Sequence, residues 1–181
     1  MASPKATIRR PSPVSRIQAV CPLSSASLYA AFGSKEGLFQ QVVEHYVKGP
    51  GSVTDLATDF GADETVGPRE AIAGLPHRSI DMQADPSHPD GCLIALSGTM
   101  RAPGEDHAGA RAAVLARREA DRMRIRSCVE AAVTSGELDA DADIGGMTST
   151  VHGFLLGIST QLRDGVAATN LHTAADVLLS N

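Results

Sequence analysis

Two serines ten residues apart, Ser24 and Ser34, each stand directly before a helical pattern, and the corner between them constrains this chain more than any other stretch. Residues Leu23–Val47 read LSSASLYAAFGSKEGLFQQVVEHYV. Ser24 is placed to cap the free backbone N–H groups of a helix over Ser25–Ala31. Leu28 and Phe32, four apart, fall on one face of it. Gly33 can take the left-handed backbone that ends a helix at low steric cost. Ser34 then caps a second helix whose first turn holds Glu36, at the positive end of the helix dipole. Leu38, Val42 and Tyr46 predict its apolar stripe, widened by Phe39 and Val43.

The segment before this corner is short of helical material. Residues 1–13 contain Pro4, Pro11 and Pro13, and an interior proline costs a helix roughly 3 kcal/mol, so they read as irregular. Ser12 and Pro13 suit a helix start. Val14, Ile17 and Cys21 follow on one face, and Pro22 ends the helix. With Ser25–Ala31 this makes a helix-turn-helix over 14–47.

The string Ser24-Ser25-Ala26-Ser27-Leu28-Tyr29-Ala30-Ala31-Phe32-Gly33-Ser34-Lys35-Glu36-Gly37-Leu38-Phe39 resembles the recognition helix and following helix of TetR-type transcriptional regulators. That family's pattern is small–small–x–x–Leu-Tyr-x-x-Phe–x–Ser-Lys-Glu–x–Leu. The resemblance implies that the helix led by Ser24 lies in a DNA major groove. Ser25, Ala26 and Ser27 would then approach base edges, flanked by Ser24 and Ala30. Tyr29 would donate its hydroxyl to a phosphate, and Lys35 would pair with another. Serine and alanine offer little bidentate base readout, so weak or indirect specificity is expected. TetR-type domains place a longer amphipathic helix before this pair. Residues 1–13 do not supply it, so a DNA-binding domain lacking its first helix is expected.

Charge agrees with the DNA reading. Net charge is −5, yet residues 1–48 carry Lys5, Arg9, Arg10, Arg16, Lys35 and Lys48 against Glu36 and Glu44 alone. A basic end on an acidic body directs that end toward a polyanion.

Beyond Val47 the pattern remains helical. Hydrophobic residues make up 43% but aromatics only 3%, with no Trp, so the core is aliphatic, which suits close-packed helices. Residues 48–67 read as a loop with one helical turn around Val53–Phe60. Pro68 opens a helix bearing Ile72, Leu75, Ser79 and Met82, with a kink or break expected at Pro76. A loop over Asp85–Gly91 precedes a short apolar helix in Cys92–Met100. The longest pattern runs from Glu105 to Ser135. One face holds Ala113, Ala116, Ala120 and Met123, and a second Ile125, Cys128, Val129 and Ala132. Asp139, Asp141 and Asp143 then precede a helix over Ile144–Arg163, striped by Ile144, Met147, Val151, Phe154, Leu155, Ile158 and Leu162. Its other side carries Gly146, Thr150, Gly153 and Gly157, a small-residue ridge for close approach of another helix. Leu171, Ala174, Ala175 and Leu178 mark a final short helix.

The expected fold is all-α: a helix-turn-helix DNA-binding region followed by a helical effector-binding and dimerisation domain over 48–181. In TetR-type proteins the last two long helices form a dimeric four-helix bundle, which assigns the ridge to a homodimer interface, the alternative being packing within one subunit. The resemblance also implies a small-molecule effector pocket, with Met82, Leu96, Met100, Met123 and Phe154 as lining, although an ordinary core would use the same residues. No H-E-x-x-H, G-x-S-x-G, Walker or G-x-G-x-x-G motif is present. His77, His88 and His107, with Asp85, Asp90 and Asp106 nearby, lack ligand spacing and read as solvated loop residues. His152 reads as a packed histidine. Neither metal nor cofactor is expected, no eighteen-residue apolar run exists to cross a membrane, and Cys21, Cys92 and Cys128 suit reduced thiols in the cytoplasm. The functional expectation is a ligand-responsive repressor of a palindromic double-stranded DNA operator. The rival readings are a dimeric ligand-binding or interaction module that has lost DNA binding through a truncated N-terminus, and a small helical enzyme.

Overall fold

The computed structural model describes residues 24–49, 66–88, 91–97 and 108–179. In order the helices are α1 (Ser25–Phe32), α2 (Lys35–Val47), α3 (Pro68–Ala84), α4 (Leu93–Ser97), α5 (Ala108–Thr134), α6 (Ile144–Arg163) and α7 (Ala168–Leu179). No strand occurs among the described residues. The expected Val14–Cys21 helix, the missing helix before it, the turn around Val53–Phe60, and Met100, Asp90, Asp106 and His107 lie outside them.

Helix ends follow local chemistry. Asp143 accepts from Gly146 N–H at 2.9 Å and so caps α6. Gly136, at φ 80°, lets Glu137 and Leu138 N–H turn back onto the Ala132 carbonyl and close α5. The start of α3 is capped at long range. Gly67 has no side chain to offer, and the Glu137 carboxylate accepts from Arg69 N–H at 2.9 Å. At the far end of short α4, Arg118 donates to the Ile94 and Ala95 carbonyls at 2.7–3.1 Å.

Three apolar clusters hold the helices together. Ile72 and Leu75 of α3 meet Ile125, Cys128, Val129 and Ala132 of α5 and Val151 of α6. Ile80 of α3 meets Ile158 of α6 and Leu171 and Ala175 of α7. Val43 of α2 meets Ile94 of α4 and Val114 of α5. A buried polar seam crosses the middle cluster's end: Gln83 Nε2 donates to Ser79 Oγ at 3.0 Å, Ser159 Oγ donates to Gln83 Oε1 at 2.6 Å, and Cys92 N–H donates to Ser159 Oγ at 3.0 Å. Within this seam the Ser79, Gln83 and Ser159 side chains thereby find partners, as burial requires.

Four expectations are corrected. Of the kink or break expected at Pro76, the break does not occur: α3 runs through it, with the ring fully buried. On α2 the buried position is Val43, while Val42 is 44% exposed, because α4 and α5 approach from the Phe39–Val43–Tyr46 side. In the first half of α5 the buried residue is Val114, not the Ala113–Ala116–Ala120–Met123 face, because α2 and α4 cover one side only; Met123 is 52% exposed. On α7, Leu171 and Ala175 are buried and Leu178 is half-buried, while Ala174 is exposed.

Two outcomes follow from this packing. Ile125→Ala is expected to lower the unfolding free energy by about 2–5 kcal/mol in urea titrations, and Leu115→Ala, on the exposed side of α5, by about 0.5 kcal/mol or less. Burial pushes the Cys128 thiol up to about 11, with the Arg78 guanidinium opposing the shift. Since the thiolate is the nucleophile, iodoacetamide at pH 8 should leave Cys128 unmodified in the folded chain and label it in urea, as read by mass spectrometry.

Candidate nucleic-acid interface

α1 is built by its cap. Ser24 holds an extended backbone, and its Oγ accepts from Ser27 N–H at 3.1 Å. Leu28 is buried and Phe32 half-buried, anchoring one face, while Ala26, Ser27, Tyr29, Ala30 and Ala31 form an exposed face. Tyr29 is 48% exposed. Gly33, at φ 71°, donates to the Tyr29 carbonyl at 2.8 Å and ends the helix.

The corner into α2 depends on a second glycine that the sequence reading passed over. A Cβ at Gly37 would collide with the Phe32 carbonyl, so only glycine lets the end of α1 sit against the first turn of α2. Ser34 Oγ accepts from Gly37 N–H at 3.0 Å. Lys35, the first residue of α2, is exposed. Glu36 beside it is turned into the body, where its Oε1 accepts from Gly109 N–H in the first turn of α5 at 2.8 Å. The acid in this turn is thus occupied, and the outward charge is that of Lys35, reinforced by the positive end of the α2 dipole. The chemistry on offer is anion binding beside a helix face of small hydroxyl and methyl groups.

The remaining candidates are scattered. Phe154 is half-buried against the Ile80–Ile158–Leu171 cluster, and Met82 and Leu96 are half-buried on α3 and α4. Met123 faces solvent, apart from these. On α6, a Cβ at Gly146 would strike the capping Asp143 carboxylate, so this glycine serves the helix start. Thr150 Oγ1 donates to the Gly146 carbonyl at 2.8 Å. No described atom lies within 4 Å of a Cβ built at Gly153, and only Gln161 Nε2, at 3.8 Å, comes within that distance at Gly157. Among the described residues, no neighbouring helix packs on this part of the ridge. His152 is half-buried, and desolvation lowers its pKa, against the nearby Asp121 carboxylate.

Among the described residues no three His, Cys, Asp or Glu side chains are grouped to hold a metal ion, and no helix is long and apolar enough to cross a membrane.

Comparison with known proteins adds what geometry alone does not. Residues 68–177 match the family described as tetracyclin repressor-like, C-terminal domain. No curated protein sequence matches the chain. Among solved structures, a cysteine-substituted TetR family transcriptional regulator CifR, complexed with 26-bp double-strand operator DNA, is similar with a TM-score of 0.81 and 27% identity. That match covers 92% of this chain and 84% of the other. A second cysteine-substituted CifR, also bound to 26-bp operator DNA, gives 0.81 and 26%, covering 93% and 85%. A family match over most of the chain, together with an all-helical architecture shared almost end to end, places this chain in the TetR family of transcriptional regulators.

Proposed function

We propose that the chain is a ligand-responsive repressor that binds double-stranded operator DNA as a homodimer in the cytoplasm. The observation that carries this reading is the exposed Ala26–Ser27–Tyr29–Ala30 face of α1, set beside an outward Lys35 whose acidic neighbour is engaged elsewhere. Similar proteins held on operator DNA support it. Ser24, Ser25, Ala26, Ser27 and Ala30 approach base edges; Tyr29 and Lys35 hold phosphates and set the register. Residues 14–47 form the DNA-binding region, and 48–181 the effector and dimerisation region. In the dimer, Gly153 and Gly157 admit a partner helix closely, with the Thr150 methyl group beside them. The effector site draws on Met82, Leu96, Met100 and Phe154. Its signal reaches DNA through α2, which is tied to the body by the Val43–Ile94–Val114 cluster and the Glu36–Gly109 hydrogen bond.

The direct test is fluorescence anisotropy with the DNA upstream of the chain's own gene. Saturable, salt-sensitive binding supports the proposal; no binding above that to unrelated DNA leaves the ligand-binding module as the better reading. Lys35→Ala should weaken binding to all sequences and reduce the slope of log affinity against log salt by about 1. Gly153→Leu should leave the helical content unchanged but shift sedimentation from dimer to monomer, with loss of operator binding.

A further inference from the structure

Four side chains between α3 and α7 form a linear chain of polar contacts, Asp176–His77–His172–Asp81, that neither the DNA reading nor the effector reading uses. His77 and Asp81 are four apart on α3, and His172 and Asp176 four apart on α7, so each helix presents one imidazole and one carboxylate on a single face. The faces pair crosswise. His77 Nε2 lies 3.1 Å from Asp176 Oδ1, and His172 Nε2 lies 3.1 Å from Asp81 Oδ1. The imidazoles meet through their Nδ1 atoms, 2.7 Å apart. Their planes are within 9° of parallel and their centroids 5.0 Å apart, so the rings meet edge to edge with these nitrogens leading.

This geometry fixes a proton count. Each Nε2 faces a carboxylate at hydrogen-bond distance and therefore carries a proton. Between the Nδ1 atoms one proton is required: with none, two lone pairs oppose each other, and with two, N–H opposes N–H. The imidazole pair therefore holds three ring protons and a single positive charge, set between two negative charges. We propose that His77 and His172 share one proton and act as a pH-gated clasp, fastening α7 to α3 only while the pair is singly protonated. Acid puts two imidazoliums in opposition, and base puts two lone pairs in opposition. Fastening is thus lost both when a proton is added to the pair and when one is removed, and the two proton steps belong to the pair rather than to either residue.

The surroundings are consistent with this assignment. Arg78, next to His77, sends its guanidinium to the Ala71 carbonyl, and α5 approaches α3 there with Cys128. α6 meets α7 through apolar Phe154, Leu155 and Leu162 beside Ile158, its charged Arg163 and Asp164 lying at its end. The aspartates are 69–71% exposed and the histidines 31–32%, so water screens the outer ion pairs and the inner N–H···N bond carries most of the clasp. The clasp rests on neither the DNA nor the dimer reading.

The test is thermal unfolding of the full chain from pH 5 to 9 for the wild type, His77→Gln, His172→Gln and the double variant. The Tm difference between wild type and either single variant should be bell-shaped in pH, about 2–4 °C at its maximum and small at both ends. The double variant should lose little more than one single variant. A flat or monotonic difference overturns the clasp. If the variants do not fold, ¹⁵N NMR of the wild-type histidines decides: both Nδ1 shifts lying between the protonated and bare values at neutral pH support it, and both at the bare value overturn it.

Discussion

The outward end of this molecule exists because Val43 is buried. α1 and α2 have 8 and 13 residues, and helices shorter than about 12–15 residues are marginal in water by themselves. Caps at Ser24 and Ser34 help, each contributing on the order of 1 kcal/mol. The larger contribution is tertiary: Val43, backed by Phe39, Tyr46 and Val47, closes over Ile94 and Val114. Those three partners come from α2, α4 and α5, so the orientation of α1 is set by the same cluster that positions the front of the long helix.

Electrostatics at this corner are arranged by a single carboxylate. At the start of a helix, Glu36 would ordinarily be stabilised by the dipole and face solvent, where it would repel a phosphate approaching Lys35. Instead it accepts the Gly109 N–H, an orphan donor in the first turn of α5. One hydrogen bond thus satisfies a buried-side donor and leaves Lys35 as the outward charge. The Gln40 side chain lies next to Gly109 as well, near the position a Cβ would take, so the join between α2 and α5 is close and leaves little space for a larger residue.

What could be read from the sequence was what local chemistry decides. Ser24, Ser34, Pro68, Asp143 and Gly33 act through their own backbone or the next turn, and each marks a helix end where expected. The motif from Ser24 to Phe39 was legible for the same reason. Where a distant neighbour decides, the reading faltered. Val42 and Val43 are equally apolar, and only the positions of α4 and α5 choose between them. Met123 repeats at helical spacing but faces water, since nothing covers that side of α5 among the described residues. Gln83 and Ser159 look like ordinary surface polar residues until 76 positions of chain bring them to 2.6 Å, and Glu137 caps a helix start 68 residues away. His77 was read as a solvated loop residue, because its partner His172 lies 95 positions along the chain.

α6 shows the same logic at its glycines. Interior glycine costs a helix about 1 kcal/mol relative to alanine. Gly146 is explained by the Asp143 cap, whose carboxylate leaves no space for a Cβ. Gly153 and Gly157 have no such account within the subunit: alanine would fit at Gly153 without contact and at Gly157 with only a glutamine side chain nearby. Meanwhile α6 buries Val151, Ile158 and Ser159 on its opposite side. Two costly glycines thus sit on the face of α6 opposite its buried residues, where packing among the described residues does not require them.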